Sequence, residues 1–130
     1  ALHRAGHVAT LRARFAKSPD GRLLHDAAAA SGIDLRDSVS ADEPATVVQI
    51  LLCTDGIPSY QFAMRGTADW QWTRQELAKP LPFGCDAVIV GSLASVLSPG
   101  SDALLDWAAA ARQSRVNVCY DPNARPSFIG

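Results

Sequence analysis

The sequence lacks an excess of basic residues and a long apolar run. Its 12 lysines and arginines are matched by 13 aspartates and glutamates, which gives a formal net charge of -1. Because no basic excess exists to neutralise a phosphate backbone or an anionic membrane surface, neither nucleic acid nor membrane is an expected partner. Apolar stretches such as Ile50 to Cys53 with its flanking valines are far below the roughly 20 residues that cross a bilayer. No signal segment opens the chain, so we expect a cytoplasmic protein.

Paired metal ligands and phosphate-binding loops are also missing. The cysteines are odd in number and widely spaced, at Cys53, Cys85 and Cys119. This pattern argues against a disulfide framework, and no histidine lies at ligand spacing from a cysteine, so the thiols are interpreted as structural and no metal site is predicted. Neither the Gly-x-x-x-x-Gly-Lys-Ser/Thr loop of nucleotide-binding proteins nor the Gly-x-Ser-x-Gly elbow of hydrolases occurs.

What the chain does contain is an alternation of strand and helix patterns. An alternating stretch over residues 8–13 predicts a short strand, and Ser18-Pro19 followed by a helical apolar pattern predicts a helix that ends at Gly32. Residues 34–44 are polar and are interpreted as irregular. A short helix is predicted over residues 74–78, broken by the prolines that follow.

A hairpin interrupts this alternation. Residues 46–53 are rich in β-branched and aliphatic side chains, turn signals follow in Asp55-Gly56 and Pro58-Ser59, and residues 60–65 supply a second strand. The two strands predict an antiparallel β-hairpin inserted into a chain that otherwise alternates strand and helix.

The C-terminal third predicts a strand–helix–strand unit. Residues 87–90 are a continuous apolar run ending at Gly91, which is typical of a parallel strand covered on both faces. Ser98-Pro99 predicts the start of a helix with an apolar stripe of Leu104, Leu105, Ala108 and Ala111, and residues 116–120 predict the next strand. Functional loops of such sheets follow the carboxyl ends of the strands, here at Gly91 and residues 121–125.

The segment after the last strand, Asp121-Pro122-Asn123-Ala124-Arg125, brings together three kinds of polar group. Asp121 can hold Arg125 or cap nearby backbone, Asn123 can donate to and accept from hydroxyls, and Arg125 can bind an oxyanion with two hydrogen bonds. Asp-Pro and Pro-Asn are also good turn dipeptides, so an ordinary turn remains an alternative on spacing alone.

The same segment resembles the D-P-N-x-R motif that follows a strand in many fructokinases and other carbohydrate kinases of the PfkB family. Further similarities come in the same order along nearly the whole chain: Ala1 to Gly6, Gly21-Arg22-Leu23-Leu24, Ser31-Gly32-Ile33-Asp34, Pro44-Ala45-Thr46, Asp55-Gly56, Tyr60-x-Phe62, Gly66-Thr67-Ala68-Asp69 and Val90-Gly91-Ser92-Leu93. Collinear order makes this resemblance more specific than any one of its short motifs.

The resemblance implies an α/β fold, namely part of a three-layer ribokinase-like fold with a mostly parallel sheet, helices and an inserted antiparallel lid hairpin. It implies one partial domain over residues 1–130, with the lid hairpin at 44–69 and a central-sheet βαβ unit at 86–130. A parent enzyme of this kind transfers the γ-phosphoryl group of ATP, with Mg²⁺, to a sugar hydroxyl. The family's G-A-G-D motif, which carries the general base, is not present in the chain, so no catalytic residue is assigned and the chain alone is expected to bind no ATP.

Departures from the family pattern bear on the substrate. Ala16-Lys17-Ser18 stands where the family usually has Gly-x-Asp, which removes backbone freedom and an acceptor. On the lid, Phe62 and Met64 stand where the family's acid-sugar kinases carry Tyr and Arg. Without that arginine a carboxylated sugar loses its partner, so a neutral, fructose-like sugar fits better. The substrate-binding residues implied are Phe62, Met64, Asn123 and Arg125, supported by Gly91 and Asp121.

Other interpretations stay open. The chain could be a non-catalytic remnant that binds sugar or forms a dimer through the open edges of its lid strands, or a free-standing small α/β binding domain. Trp70 and Trp72 could stack on a sugar ring, although aromatic residues beside a hairpin more often pack against the core or a partner subunit. The carboxylates of Asp42, Glu43 and Asp55 are interpreted as solvated.

Overall fold

A parallel strand pair organises the N-terminal part of the chain. In the computed structural model, which describes residues 2–52, 56, 58–91 and 93–121, strand β1 (Arg14–Ala16) pairs in parallel with β2 (Val39–Ala41). Helix α1 (Pro19–Ala30) connects the two strands. Ala16 lies opposite Ala41, and both are buried in a small apolar cluster with Ala68.

Two sequence predictions about this region are wrong in position. The strand predicted over residues 8–13 lies instead at 14–16, and the stretch predicted to be irregular contains β2. Backbone pairing explains both differences. The segment before β1 lies beside residues 34–39 but forms only separate backbone hydrogen bonds with them, such as the bond from Leu11 N to Asp34 O at 2.8 Å. Regular pairing begins only where Arg14 meets Val39.

The predicted start of α1 is confirmed. Ser18 is the N-cap residue, its side chain accepts a hydrogen bond from the backbone N–H of Gly21, and Pro19 occupies the first turn. The predicted apolar stripe is less buried than its pattern indicates, since Leu23 and Leu24 are both exposed. Only Gly21 of this helix is buried.

The predicted hairpin is present. Strand β3 (Val47–Leu52) pairs antiparallel with β4 (Pro58–Ala63), and the register places Val47 opposite Ala63 and Leu52 opposite Pro58. The Pro58-Ser59 turn signal therefore lies inside β4 rather than in the turn. Proline at the first position of a strand leaves the ladder intact, because the missing N–H falls at its end. Asp55 lies outside the described residues.

The C-terminal part contains the predicted strand–helix–strand unit. A short helix α2 (Arg74–Leu77) begins at a capping box formed by Thr73 and Glu76. Strand β5 (Ala87–Gly91), helix α3 (Gly100–Gln113) and strand β6 (Asn117–Asp121) follow, and β5 pairs in parallel with β6. The buried residues of α3 include Leu104, Ala108 and Ala111 from the predicted stripe, whereas Leu105 is exposed.

Strand β5 is covered on one face only within the described residues, which contradicts the prediction of burial on both faces. Val88 and Val90 are buried, whereas the intervening Ile89 is 59% exposed. A continuous apolar run does not distinguish a strand with one covered face from a strand with two, because apolar residues occupy both faces in either case.

The chain divides into two compact units, residues 1–69 and 70–130. The first unit contains β1 to β4 with α1, and the second contains α2, α3, β5 and β6. The prediction of one partial domain over residues 1–130, with its subdivisions at 44–69 and 86–130, stays a prediction. Across the described ranges no helix is long and apolar enough to cross a membrane.

Candidate functional site

The β3–β4 hairpin has two chemically different faces. Directly opposed residues of an antiparallel pair lie on the same side of the sheet, so the register sorts every side chain. We call one side the apolar face, formed by Val48, Ile50, Leu52, Pro58, Tyr60 and Phe62. The opposite side is mixed and carries Val47, Gln49, Leu51, Ser59, Gln61 and Ala63.

The apolar face is largely uncovered. Leu52 is 82% exposed, Ile50 is 60% exposed, and Val48 and Tyr60 are exposed as well. Tyr60 and Phe62 lie side by side, with ring centroids 6.5 Å apart and ring planes tilted by 32°. Exposed apolar surface of this kind on an isolated strand pair is typical of a surface that contacts a ligand or a partner.

The two predicted substrate-binding residues of the lid lie at the inner end of this hairpin. Phe62 is half-buried on the apolar face, opposite Val48. Met64 is also half-buried and directly follows β4, where its carbonyl oxygen accepts hydrogen bonds from Thr67 N at 3.3 Å and Thr67 Oγ1 at 3.0 Å. The structure brings these two side chains to the same strand end, and their contact with substrate stays a prediction.

Residues 44–46 and 67–69, which we call the hairpin base, join the hairpin to the first strand pair. The backbone N–H of Ala68 donates to the carbonyl oxygen of Pro44 at 2.9 Å. Thr46 Oγ1 lies 2.6 Å from Thr67 Oγ1 and 2.7 Å from Oδ1 of Asp69. Hydrogen bonds therefore join the two ends of the hairpin to each other at its base.

Arg14 forms hydrogen bonds with the hairpin base and with the residue that precedes it. The guanidinium of Arg14 donates to the carbonyl oxygen of Ala68 at 3.1 Å and to the carboxylate of Glu43. Glu43 was interpreted as a solvated loop carboxylate, and that interpretation is wrong, because it neutralises an arginine whose side chain is only 7% exposed. The sequence analysis did not predict a structural or functional role for either Arg14 or Glu43. Arg14 lies just beyond the stretch that was predicted to be a strand, and only the fold brings it beside Ala68.

The loop after β1 carries the departure Ala16-Lys17-Ser18. The Lys17 ammonium pairs with Asp42, so this carboxylate too is partnered rather than only solvated. Ser18 caps α1, as described above, and so supplies an acceptor to the helix rather than to the loop. A Cβ atom at Gly21 would lie 2.0 Å from the carbonyl oxygen of Ala16, so glycine is required by this close approach.

In the C-terminal unit the two predicted supporting residues are neighbours. Gly91 and Asp121 are opposed in the β5–β6 register, each at the carboxyl end of its strand. A Cβ atom at Gly91 would lie 2.0 Å from the carbonyl oxygen of Asp121, so only glycine fits there without a shift of the backbone. Asn123 and Arg125 lie outside the described residues, and their assignment to a substrate site stays a prediction.

The tryptophans support the packing alternative. Trp72 is buried, and a Cβ atom at Gly100 would lie 2.2 Å from the carbonyl oxygen of Trp70 and 2.6 Å from the backbone nitrogen of Trp72. The first turn of α3 therefore packs directly on the backbone of residues 70–72. This close approach gives Trp72 a structural role in the C-terminal unit.

The C-terminal unit contains a cavity of about 630 Å³. Leu77, Cys85 and Trp107 contribute to its wall, and the ion pair of Arg74 with Asp106 stands at its rim. None of Phe62, Met64, Gly91 or Asp121 lines it. Within the described part of the chain, no group of three or more His, Cys, Asp or Glu residues is placed to hold a metal ion.

Comparison with known proteins places this geometry in a fold family. No protein-family model and no curated protein sequence matches the chain. Among solved structures, fructokinase from Xylella fastidiosa matches with a TM-score of 0.84 at 18% identity, covering 99% of this chain and 42% of the fructokinase. A PfkB protein from Polaromonas sp. JS666 matches with a TM-score of 0.78 at 22% identity, over 99% of this chain and 44% of that protein.

A third structure carries ligands. Fructokinase from Vibrio cholerae O395, in its form bound to fructose, ADP and calcium ion, matches with a TM-score of 0.74 at 18% identity, over 99% of this chain and 42% of that enzyme. At these identities the similarity establishes the fold, and the predicted α/β class is confirmed as part of a ribokinase-like fold. The chain spans less than half the length of the structures that it matches.

Proposed function

We propose that the chain is the lid-bearing part of an ATP-dependent carbohydrate kinase, which transfers the γ-phosphoryl group of ATP to a hydroxyl of a neutral, fructose-like sugar. The observation that carries the proposal is the match of nearly the entire chain, hairpin included, to fructokinase structures. The hairpin acts as the lid. Its closure over the sugar excludes water from the transferring phosphoryl group.

The chemistry of the lid supports a neutral substrate. The apolar face carries no charged side chain, and the two positions assigned to the substrate, Phe62 and Met64, carry none either. A carboxylated sugar would need a cationic partner at this surface. A neutral sugar can place the apolar C–H face of its ring against Phe62 while its hydroxyls bond elsewhere.

The remaining polar contacts are assigned to the loop after β6. Asn123 orients sugar hydroxyls and Arg125 binds an oxyanion or holds the neighbouring loop, while Gly91 and Asp121 support the strand ends from which these loops leave. Replacing Arg125 with alanine in the longer enzyme is expected to raise the sugar KM or lower turnover. If both parameters stayed unchanged, this role would be lost.

ATP, Mg²⁺ and the catalytic base are assigned to parts of the longer enzyme outside this chain. The G-A-G-D motif that carries the base in the family does not occur in the sequence. The chain spans 42% of the Xylella enzyme, which leaves room for such a segment. We place the enzyme in the cytoplasm, and we propose that its lid strands, whose edges are open within the described residues, pair two subunits into a dimer.

Turnover measurements test this proposal. The longer enzyme is expected to phosphorylate a neutral sugar with ATP, and the 130-residue chain alone is expected to phosphorylate none. A panel of neutral and carboxylated sugars would identify the substrate class. Turnover by the chain alone would contradict the assignment of the base to another segment. The absence of turnover in both proteins would leave the second candidate.

That second candidate is a non-catalytic module that binds sugar or forms a dimer. The exposed apolar face of the hairpin favours it, because a surface of this kind on a strand pair can bind a partner without any chemistry. Sugar binding or dimer formation by a longer protein that never consumes ATP would support this candidate over the kinase.

A further inference from the structure

Three polar side chains meet at the hairpin base. Thr46 precedes β3, whereas Thr67 and Asp69 follow β4. Thr46 Oγ1 lies 2.6 Å from Thr67 Oγ1 and 2.7 and 2.9 Å from the two carboxylate oxygens of Asp69. Since the three residues come from both ends of the hairpin, their contacts tie its entry to its exit.

The number of available protons determines which group donates each hydrogen bond in this cluster. A carboxylate only accepts, and each threonine hydroxyl has one proton to donate. The proton of Thr46 is therefore directed to Asp69. Thr67 Oγ1 can then donate either to Thr46 or to the carbonyl oxygen of Met64, which lies 3.0 Å away. Hydrogen bonds to a charged acceptor are the stronger kind, so the Thr46–Asp69 contact is the principal one.

The residue between Thr67 and Asp69 anchors the cluster to the body of the unit. Ala68 is 1% exposed and packs with Ala16 and Ala41 of the first strand pair. Its N–H donates to Pro44 O, and its carbonyl oxygen accepts from Arg14. The hairpin base is thus held on the β1–β2 pair by the packing of Ala68 and by the hydrogen bond from the Arg14 side chain.

The strands beyond the base are different. Every residue of β3 is exposed, and in β4 only Phe62 is half-buried. Contacts along the strands therefore hold the hairpin together, and the contacts of Ala68 described above join its base to the β1–β2 pair.

We propose that Thr46, Thr67 and Asp69 form a latch that sets the angle at which the hairpin stands on the β1–β2 pair and so positions the apolar face. They are positioning residues, because none of them needs to touch a substrate. The consequence for a sugar site rests on the proposed function, whereas the angle itself does not. The test can therefore be made on the chain without substrate, and its failure would be distinct from a failure of the kinase proposal.

The test is a distance measurement between two spin labels by double electron–electron resonance. One label is placed on the hairpin at Gln61 and the other on α1 at Ala29, both of which are exposed. The three native cysteines are first replaced with serine. Hydrogen exchange of the backbone amides of β3 and β4 is measured in parallel, because it reports whether the strand pair itself stays formed.

The decisive variant is Thr46→Val, which keeps the side-chain shape but removes the hydroxyl. We expect the distance distribution to broaden while the hairpin amides keep their protection. Thr46→Ser should restore the narrow distribution. Thr10→Val is the matched control, because it removes a hydroxyl 3.4 Å from Asp34 elsewhere in the same unit, and it should change nothing at the hairpin.

Asp69→Ala is a second, independent test of the latch, since it removes the acceptor of the hydrogen bond and leaves Thr46 in place. It should broaden the distribution of spin-label distances in the same way. An unchanged narrow distance in both Thr46→Val and Asp69→Ala would overturn the latch. Loss of amide protection in the strand pair along with the broadening would also overturn it, because the cluster would then only hold the hairpin together rather than position it.

Discussion

Nη2 of Arg14 lies 3.2 Å from Oε1 and 3.3 Å from Oε2 of Glu43. The side chain of Arg14 is 7% exposed and that of Glu43 is 31% exposed. The ion pair is therefore only partly buried. Arg14 also donates to the carbonyl oxygen of Ala68. The contact therefore connects β1, the segment that enters the hairpin and the segment that leaves it.

Replacing Arg14 with methionine should lower the free energy of unfolding by about 2 kcal/mol. Breaking a buried pair costs roughly 3–5 kcal/mol, and the partial exposure of Glu43 reduces that figure. Chemical denaturation measures the change. The matched control is Lys17→Met, which breaks the exposed pair with Asp42 and should cost less than about 1 kcal/mol. Equal costs for the two variants would contradict the importance of the Arg14 contact.

The close approach of Gly91 to Asp121 makes a second prediction. Gly91→Ala would place a methyl group 2.0 Å from the carbonyl oxygen of Asp121, so it should lower the free energy of unfolding by more than about 2 kcal/mol through forced separation of β5 and β6. Gly84→Ala is the control. Gly84 has φ of 74° but open space around its Cβ position, so that change should cost only about 1–2 kcal/mol from backbone strain.

Asp34 provides a pH-dependent prediction. The pKa of its carboxyl is lowered below the ordinary value of 3.8, chiefly by the hydrogen bond from the backbone N–H of Arg36, assisted by the Arg36 charge and by Thr10. A carboxyl with a lowered pKa stabilises the fold above its unfolded-state pKa and loses that contribution as the pH falls through the folded-state value.

The stability difference between the natural chain and Asp34→Asn should therefore be constant at neutral pH and shrink below about pH 4. Denaturation curves at several pH values measure the difference, and NMR titration of Asp34 should give a midpoint below 3.8. A midpoint at or above 3.8, or a difference that grows in acid, would contradict the assignment.

The proposed fit of the hairpin to a neutral sugar predicts that a single change should shift the substrate preference. In the longer enzyme, Met64→Arg introduces a guanidinium where acid-sugar kinases of the family carry arginine. It should raise kcat/KM for a carboxylated sugar relative to fructose by about 10-fold, which corresponds to one charge-assisted hydrogen bond. Gln61→Arg adds the same charge on the opposite, mixed face of the hairpin and should leave the ratio unchanged. A similar shift in both variants would show that net charge, rather than position, is responsible.

Much of the fold could be predicted from the sequence where local signals are strong. Ser18-Pro19 fixed the start of α1, the β-branched run before Asp55 predicted β3, and the run ending at Gly91 predicted β5. Each of these signals depends on the residues of the element itself, through capping, strand preference or the end of an apolar run. Such signals survive whatever packs around them.

Strand β2 and the burial of β5 could not be predicted in this way. Val39–Ala41 is short and forms a strand only because Arg14–Ala16 lies beside it. Whether Ile89 is covered depends on which layers surround the strand, which its own sequence does not specify.

The candidate site shows the same division. The hairpin that carries Phe62 and Met64 could be predicted because its strands are encoded locally, whereas the assignment of these two residues to a substrate came from the resemblance to carbohydrate kinases and stays a prediction. The contacts at the hairpin base were missed, although Thr67 and Asp69 lie in a motif that supported the family resemblance. A polar residue acquires its role from its partner, and the partners of Thr46 and Arg14 lie 21 to 54 residues away along the chain.

The proposed contact between the apolar face of the hairpin and a neutral sugar can be tested directly at Met64. The chain contains one methionine, so labelling with ¹³C-methyl methionine gives a single side-chain NMR signal at the inner end of the lid. Titration with fructose should shift this signal saturably, whereas gluconate at the same concentrations should leave it in place. A signal that fructose does not move, or that gluconate moves equally, would contradict the claim.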